Sequence, residues 1–184
     1  MSHKFSTKNG LATVLSGARY KGEFVLNNET EYNNIDWHDI RDKPTWVDVE
    51  LAGIARLRYD IKEDINERTK EMIEHDFMFS LDPVTTVEMS DEWQRNVLGL
   101  YTGEAMFIAG ILPMQLLTYP YELHVGSGNE VVPRYITIAD FAELTQLYLE
   151  IFNHINTMLL SGRTLKNDLG AMGRNELEEF RDTR

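Results

Sequence analysis

The stretch from Val47 to Tyr101 does most to restrict what this chain can fold into. Val47, Leu51, Ile54, Ile61, Ile65 and Met72 follow one another at intervals of four, three, seven, four and seven residues, which puts them on one stripe of a long helix. The spacing approximates a heptad seam, but Arg58 and Arg68 fall where further apolar residues belong. A helix docked on a core or partner is therefore favoured over a self-standing coiled coil. After His75 the period drops to two: Phe77, Phe79 and Leu81 alternate with Met78 and Ser80, Asp82-Pro83 predicts a turn, and Val87 and Met89 continue beyond it. Ser90 is placed to cap a second helix, with Asp91 and Glu92 at the positive end of its dipole and Trp93, Val97 and Leu100 as its buried stripe.

With 184 residues the chain suits one well-filled domain, or a domain plus an arm. Its formal net charge of -12 gives the electrostatic term that dominates nucleic-acid binding the wrong sign, and makes anionic membranes equally poor partners. There is no cysteine, which removes disulfides, thiolate nucleophiles and cysteine-based zinc sites together. The longest apolar run, Ala105 to Leu112, is too short to cross a bilayer, and the N-terminus lacks the apolar core of a signal peptide, so cytoplasmic synthesis is expected.

Met1 to Thr45 combines Gly10, Gly17, Gly22 and two Asn pairs with short apolar clusters, and reads as two short strands in an extended arm. An ordinary β-hairpin packed on its own domain fits as well. Phe5, Tyr20, Phe24, Tyr32 and Trp37 exceed what a solvated tail needs, so they bury on this chain or on a neighbour. Asn28-Glu29-Thr30 matches a glycosylation triplet without any secretion signal.

Further on, Ala105 to Met114 reads as a buried helix and core filler. Leu117 to Val125 and Val131 to Ile136 form a β-hairpin around the glycine-containing segment Gly126 to Glu130, which has no phosphate-cradling pattern. Thr137 is expected to cap the next helix with Asp140 as its reciprocal partner, and Phe141, Leu144, Tyr148, Ile151, Phe152, Ile155, Met158 and Leu159 hold the helical period up to a stop at Gly162. A short segment, Arg163 to Met172, and a charged, frayed helix over Asn175 to Arg184 complete the chain.

Catalytic patterns are not evident. His3, His38, His75, His124 and His154 include no metal-ligand spacing, and His154 reads as an exposed or satisfied residue. The carboxylates, Glu71 with Glu74 or Asp91 with Glu92, read as solvated faces. No serine lies in a Gly-x-Ser-x-Gly elbow. The expectation is a protein without enzymatic activity and without a cofactor or metal.

Two resemblances go further. Ile35, Trp37, Ile40, Lys43, Pro44, Thr45 and Trp46 are similar to a short motif of bacteriophage fibres and other virion appendages, often found at a junction with an attachment region; a turn with two core tryptophans is the plainer alternative. Over roughly residues 60–172, Phe77, Phe79, Gln94, Asn96, Tyr119, Pro120, Glu122, Asp140, Phe141, Leu144, Gly162, Arg163, Leu165 and Lys166 resemble an uncharacterised domain of phage tail and tail-fibre-associated proteins. That family carries no established activity. The resemblance implies a structural component of the virion, made in the host cytoplasm, that attaches to other virion proteins through its N-terminal arm. Phe24, Tyr32, Trp37, Ile40, Pro44 and Trp46 are its candidate interface, and a homo-oligomer, trimeric by analogy, its expected state. A tail-fibre assembly chaperone and a capsid decoration or head-fibre protein are the alternatives. The expected fold is α+β and mainly helical, with long amphipathic helices, two small β-hairpins and the extended arm, divided into 1–46, 47–172 and a charged tail 173–184.

Overall fold

Thr45 begins the first long helix with a reciprocal cap. The Asp48 N–H donates to Thr45 Oγ1 at 3.2 Å, while the Asp48 carboxylate accepts from Thr45 N–H at 3.2 Å and Thr45 Oγ1 at 2.6 Å. The computed structural model describes residues 24–25, 36–37, 42–75, 77–126 and 132–184. Their order is β1 (Phe24–Val25), β2 (Asp36–Trp37), α1 (Trp46–His75), β3 (Phe77–Phe79), β4 (Asp82–Val87), α2 (Asp91–Ile108), β5 (Tyr121–His124), β6 (Tyr135–Ile138), α3 (Phe141–Asp168) and α4 (Arg174–Glu179). The fold is α+β and mainly helical, and the strands pair as three antiparallel ladders among the described residues, β1 with β2, β3 with β4 and β5 with β6. Of the expected arm, the β1–β2 ladder, with Phe24 opposite Trp37, and residues 42–46 lie within the described residues.

The chain divides into two compact units, one of Met1–Asp64 with Lys166–Arg184 and one of Ile65–Leu165. In the first, Val49, Ile61, Leu169 and Leu177 are buried, and Arg58 Nη2 donates to the Met172 carbonyl at 2.8 Å. Arg58, which interrupts the apolar seam in sequence, thus has a specific acceptor. The seam itself is only half right: Ile61 and Ile65 are buried, but Val47 and Leu51 are each 61% exposed and Val49 is buried instead. Two residues advance a helix by about 200°, so the first turns of α1 bury nearly the opposite side. Glu176 accepts the Gly173 N–H at 2.7 Å and starts α4, which ends at Glu179, short of the tail helix expected to run to Arg184.

The second unit holds the larger core. Phe77, Phe79, Val87 and Met89 from the first hairpin, Trp93 and Val97 from α2, Leu123, Val125, Ile136 and Ile138 from the second hairpin, and Leu144, Leu147 and Ile151 from α3 form one cluster. The period-two reading of β3 holds, with Met78 exposed between two buried phenylalanines. The turn is at Ser80–Leu81, two residues before the expected Asp82-Pro83, because Asp82 pairs with Phe79 as the first residue of β4. Ser90 caps α2 as expected, accepting the Trp93 N–H at 3.2 Å, and the Trp93 indole N–H reaches the His124 carbonyl at 2.7 Å. His154 is satisfied by the Met72 carbonyl at 3.0 Å.

Two expectations for α3 are corrected. Thr137 lies in β6 opposite Glu122, and Asp140 is the cap: its Oδ1 accepts the Glu143 N–H at 3.0 Å, while Glu143 accepts the Ala139 N–H at 2.8 Å. The helix also runs through Gly162, which is buried, and ends at Asp168. Gly162 has no left-handed backbone to end a helix with, whereas Gly110 does. Of the predicted stripe, Leu144 and Ile151 are buried, Phe152 and Leu159 are exposed, and Leu147 takes a core position.

Candidate docking surfaces

Helix α2 stops because Gly110 adopts φ 72°. The Ile111 N–H donates to the Met106 carbonyl and the Gly110 N–H to the Phe107 carbonyl, both at 2.9 Å, the paired bonds of a Schellman terminus. The chain then turns back along its own helix. Glu104, only 1% exposed, receives it: Oε1 accepts the N–H groups of Leu116 at 2.8 Å and Leu117 at 2.6 Å, and Oε2 lies 3.4 Å from the Gln115 side-chain amide. Gly103 makes room beside it, since a Cβ there would stand 2.1 Å from Leu116 Cδ1. A carboxylate on α2 holding two consecutive backbone N–H groups fixes the far end of the loop to the helix in a charge-assisted arrangement.

This clamp turns an apolar run outward. The expected buried helix over Ala105–Met114 is contradicted: the helix ends at Ile108, and Ile108, Ile111, Met114 and Leu116 all project into solvent, with Ile111 65% and Met114 70% exposed. The stretch from Ala105 to Tyr121 contains no Asp, Glu, Lys or Arg. An uncharged apolar loop held rigid and exposed has the properties of a protein-docking surface. The signal in sequence was present in Gly110 and Pro113 inside the run. Beneath the loop the Tyr119 hydroxyl is buried with no hydrogen-bond partner among the described residues, and burial first, then Glu104 and Asp140, pushes its ionisation upward.

A second surface follows the crossing of α2 and α3. A groove of about 370 Å³ is lined by Leu98, Tyr148, Ile151, Phe152 and Ile155 together with the charged side chains of Asp91 and Arg95. Tyr101 stacks on Tyr148 at 4.3 Å and on Phe141 at 5.7 Å, setting the distance between the two helices. At the far side of α3, Glu150 accepts hydrogen bonds from the Ser80 N–H at 2.9 Å, from Ser80 Oγ and from Gln146 Nε2 at 3.0 Å. Burial alone raises the Glu150 carboxyl, but these bonds outweigh it and hold the group below its usual range. They pin the first hairpin's tip and leave no unengaged base or nucleophile there.

Of the interface residues expected from sequence, Pro44 and Trp46 are half-buried beside the α1 cap. Phe24 and Trp37 stand opposite each other in the β1–β2 ladder, and Tyr32 and Ile40 lie outside the described residues. Among the described residues no group of three or more His, Asp or Glu side chains is arranged to hold a metal ion, and no helix is long and apolar enough to cross a membrane. No protein-family model matches the chain, and no curated protein or solved structure matches it either.

Proposed function

We propose that the chain is a non-enzymatic structural component of a bacteriophage particle, part of a tail, neck, fibre or other appendage, that binds other virion proteins. The observation that carries the docking part of this reading is the rigid apolar loop 108–116, aimed into solvent by the buried Glu104 carboxylate. A soluble chain with no use for such a loop would be expected to fold it inward or interrupt it with charge. The virion part rests on the resemblance of the Ile35–Trp46 segment to appendage junctions. On this reading the N-terminal arm attaches the protein, and the loop is a second contact.

Mass spectrometry of purified particles tests it. The chain is expected at a fixed ratio to the other tail proteins, and Ile111→Asp combined with Met114→Asp should leave the protein folded but missing from particles. A chain abundant in the lysate and absent from particles would instead identify an assembly chaperone. Particles that incorporate the double variant normally would remove the loop from the argument.

A further inference from the structure

The chain has eight methionines and no cysteine, so all of its sulfur is thioether sulfur. No thiol competes with the methionines for an oxidant. Among the described residues their exposures differ widely: Met89 is fully buried, Met106 is 37% exposed, Met78 54% and Met114 70%. Met114 also stands in the uncharged stretch 105–121, within the loop that the Glu104 carboxylate ties back to α2. The bonds that shape this loop are made by backbone N–H groups, at Gly110, Ile111 and Leu112 on one side and at Leu116 and Leu117 on the other. The Met114 side chain takes part in none of them. Its chemistry can therefore change while the course of the loop does not.

We infer that Met114 is a modification site, at which peroxide converts the thioether to the sulfoxide and so withdraws the 108–116 loop from docking while the fold stays intact. The inference rests on the docking role proposed for that loop, and holds equally for a virion component and a chaperone. A sulfur lone pair attacks one peroxide oxygen, and the S–O bond forms as the O–O bond breaks. The hydroxide that leaves takes the proton from the new S–OH and becomes water, so the sulfur loses the two electrons that peroxide gains. The product carries a strong hydrogen-bond acceptor where an adaptable apolar group stood. Against a partner surface matched to apolar side chains, that oxygen gives up water without gaining a donor, which weakens docking roughly tenfold. Met89 lies inside the core cluster, so low peroxide alters the surface before it reaches the fold. Enzymatic reduction of the sulfoxide restores the thioether, which makes the change a switch.

Titration of the purified full-length chain with hydrogen peroxide, read by tandem mass spectrometry of its peptides, tests the site. Met114 is expected to gain its oxygen before Met78 and Met106, with Met89 unmodified and helical circular dichroism unchanged. Prior oxidation of Met78 or Met106, or loss of helix as Met114 is oxidised, overturns the inference. The consequence is read by offering treated and untreated chain to particles assembled without it. Treatment should lower incorporation of the wild type and of Met78→Leu roughly tenfold. Met114→Leu should incorporate to the same extent before and after treatment, and methionine sulfoxide reductases should restore the treated wild type. Treated wild type that incorporates like untreated, while Ile111→Asp with Met114→Asp is excluded, overturns the switch alone. If that double variant is incorporated as well, the docking role of the loop falls and the switch falls with it.

Discussion

The carboxylate of Glu104 accepts the backbone N–H of Leu117 at 2.6 Å from thirteen residues away, and with the Leu116 N–H at 2.8 Å on the same oxygen it ties the end of the 105–116 run back to α2. Glu104→Gln keeps the oxygen that accepts both backbone N–H groups but loses the charge and turns an amide N–H toward the Gln115 side-chain amide. A cost of about 1–3 kcal/mol is expected, read by denaturant unfolding. Amide hydrogen exchange at Leu116 and Leu117 should accelerate beyond what the global loss explains. Unchanged protection at those two amides would mean that the loop is held by something other than the clamp.

Gly110→Ala meets no steric obstacle, since nothing lies within 4 Å of the added Cβ, yet its φ of 72° is strained for any L side chain. A loss of about 1–2 kcal/mol is expected, and less for Gly110→Asn, whose side chain tolerates that region. Equal stability of the alanine variant and wild type would show that the α2 terminus does not depend on its left-handed residue.

Asp140→Ala should cost about 1 kcal/mol in thermal or urea unfolding, because it strips the cap from α3. Thr137→Ala should stay within about 0.5 kcal/mol, since its hydroxyl bonds only to exposed Glu122 across the ladder. The reverse ranking would restore Thr137 as the cap.

The Glu150 carboxyl is held below its ordinary value of 4.5, so the unfolded chain takes up this proton before the folded one. Its bonds to Ser80 and Gln146 therefore contribute fully above pH 4.5 and fade as the pH falls through the lower folded value. The melting temperature of wild type should exceed that of Glu150→Gln at neutral pH, and the gap should close under acid conditions. A gap that stays constant below pH 4.5 would show that the carboxylate's charge has no part in pinning the hairpin.

Thr-x-x-Asp occurs at both Thr45 and Thr137, and the contrast explains how far the sequence could be read. At Thr45 it is a true reciprocal cap, and no strand ladder among the described residues takes up the residue. At Thr137 a strand partner already exists in Glu122, so the helix begins at the next acceptable residue, Asp140. The helices, the alternation through Phe77 and Phe79 and the Ser90 cap were legible because each is local. Which side of a helix is buried was legible only where the core is continuous: Trp93 and Val97 followed the pattern, whereas Val47 and Leu51 did not. The outward loop was hidden for a related reason. Its orientation depends on Glu104, and hydropathy alone does not reveal that a charged residue will be buried to serve backbone donors elsewhere.

Ser80 and Glu150 lie seventy residues apart, which gives the hairpin tip a history as well as a place. During synthesis β3 and β4 emerge long before the helix that pins them, an interval on the order of ten seconds at ribosomal speed. Through that interval the nascent chain carries Phe77 and Phe79 without Leu144, Leu147 and Ile151 to cover them. The aromatic hairpin is thus open to wrong partners before its own last long helix arrives.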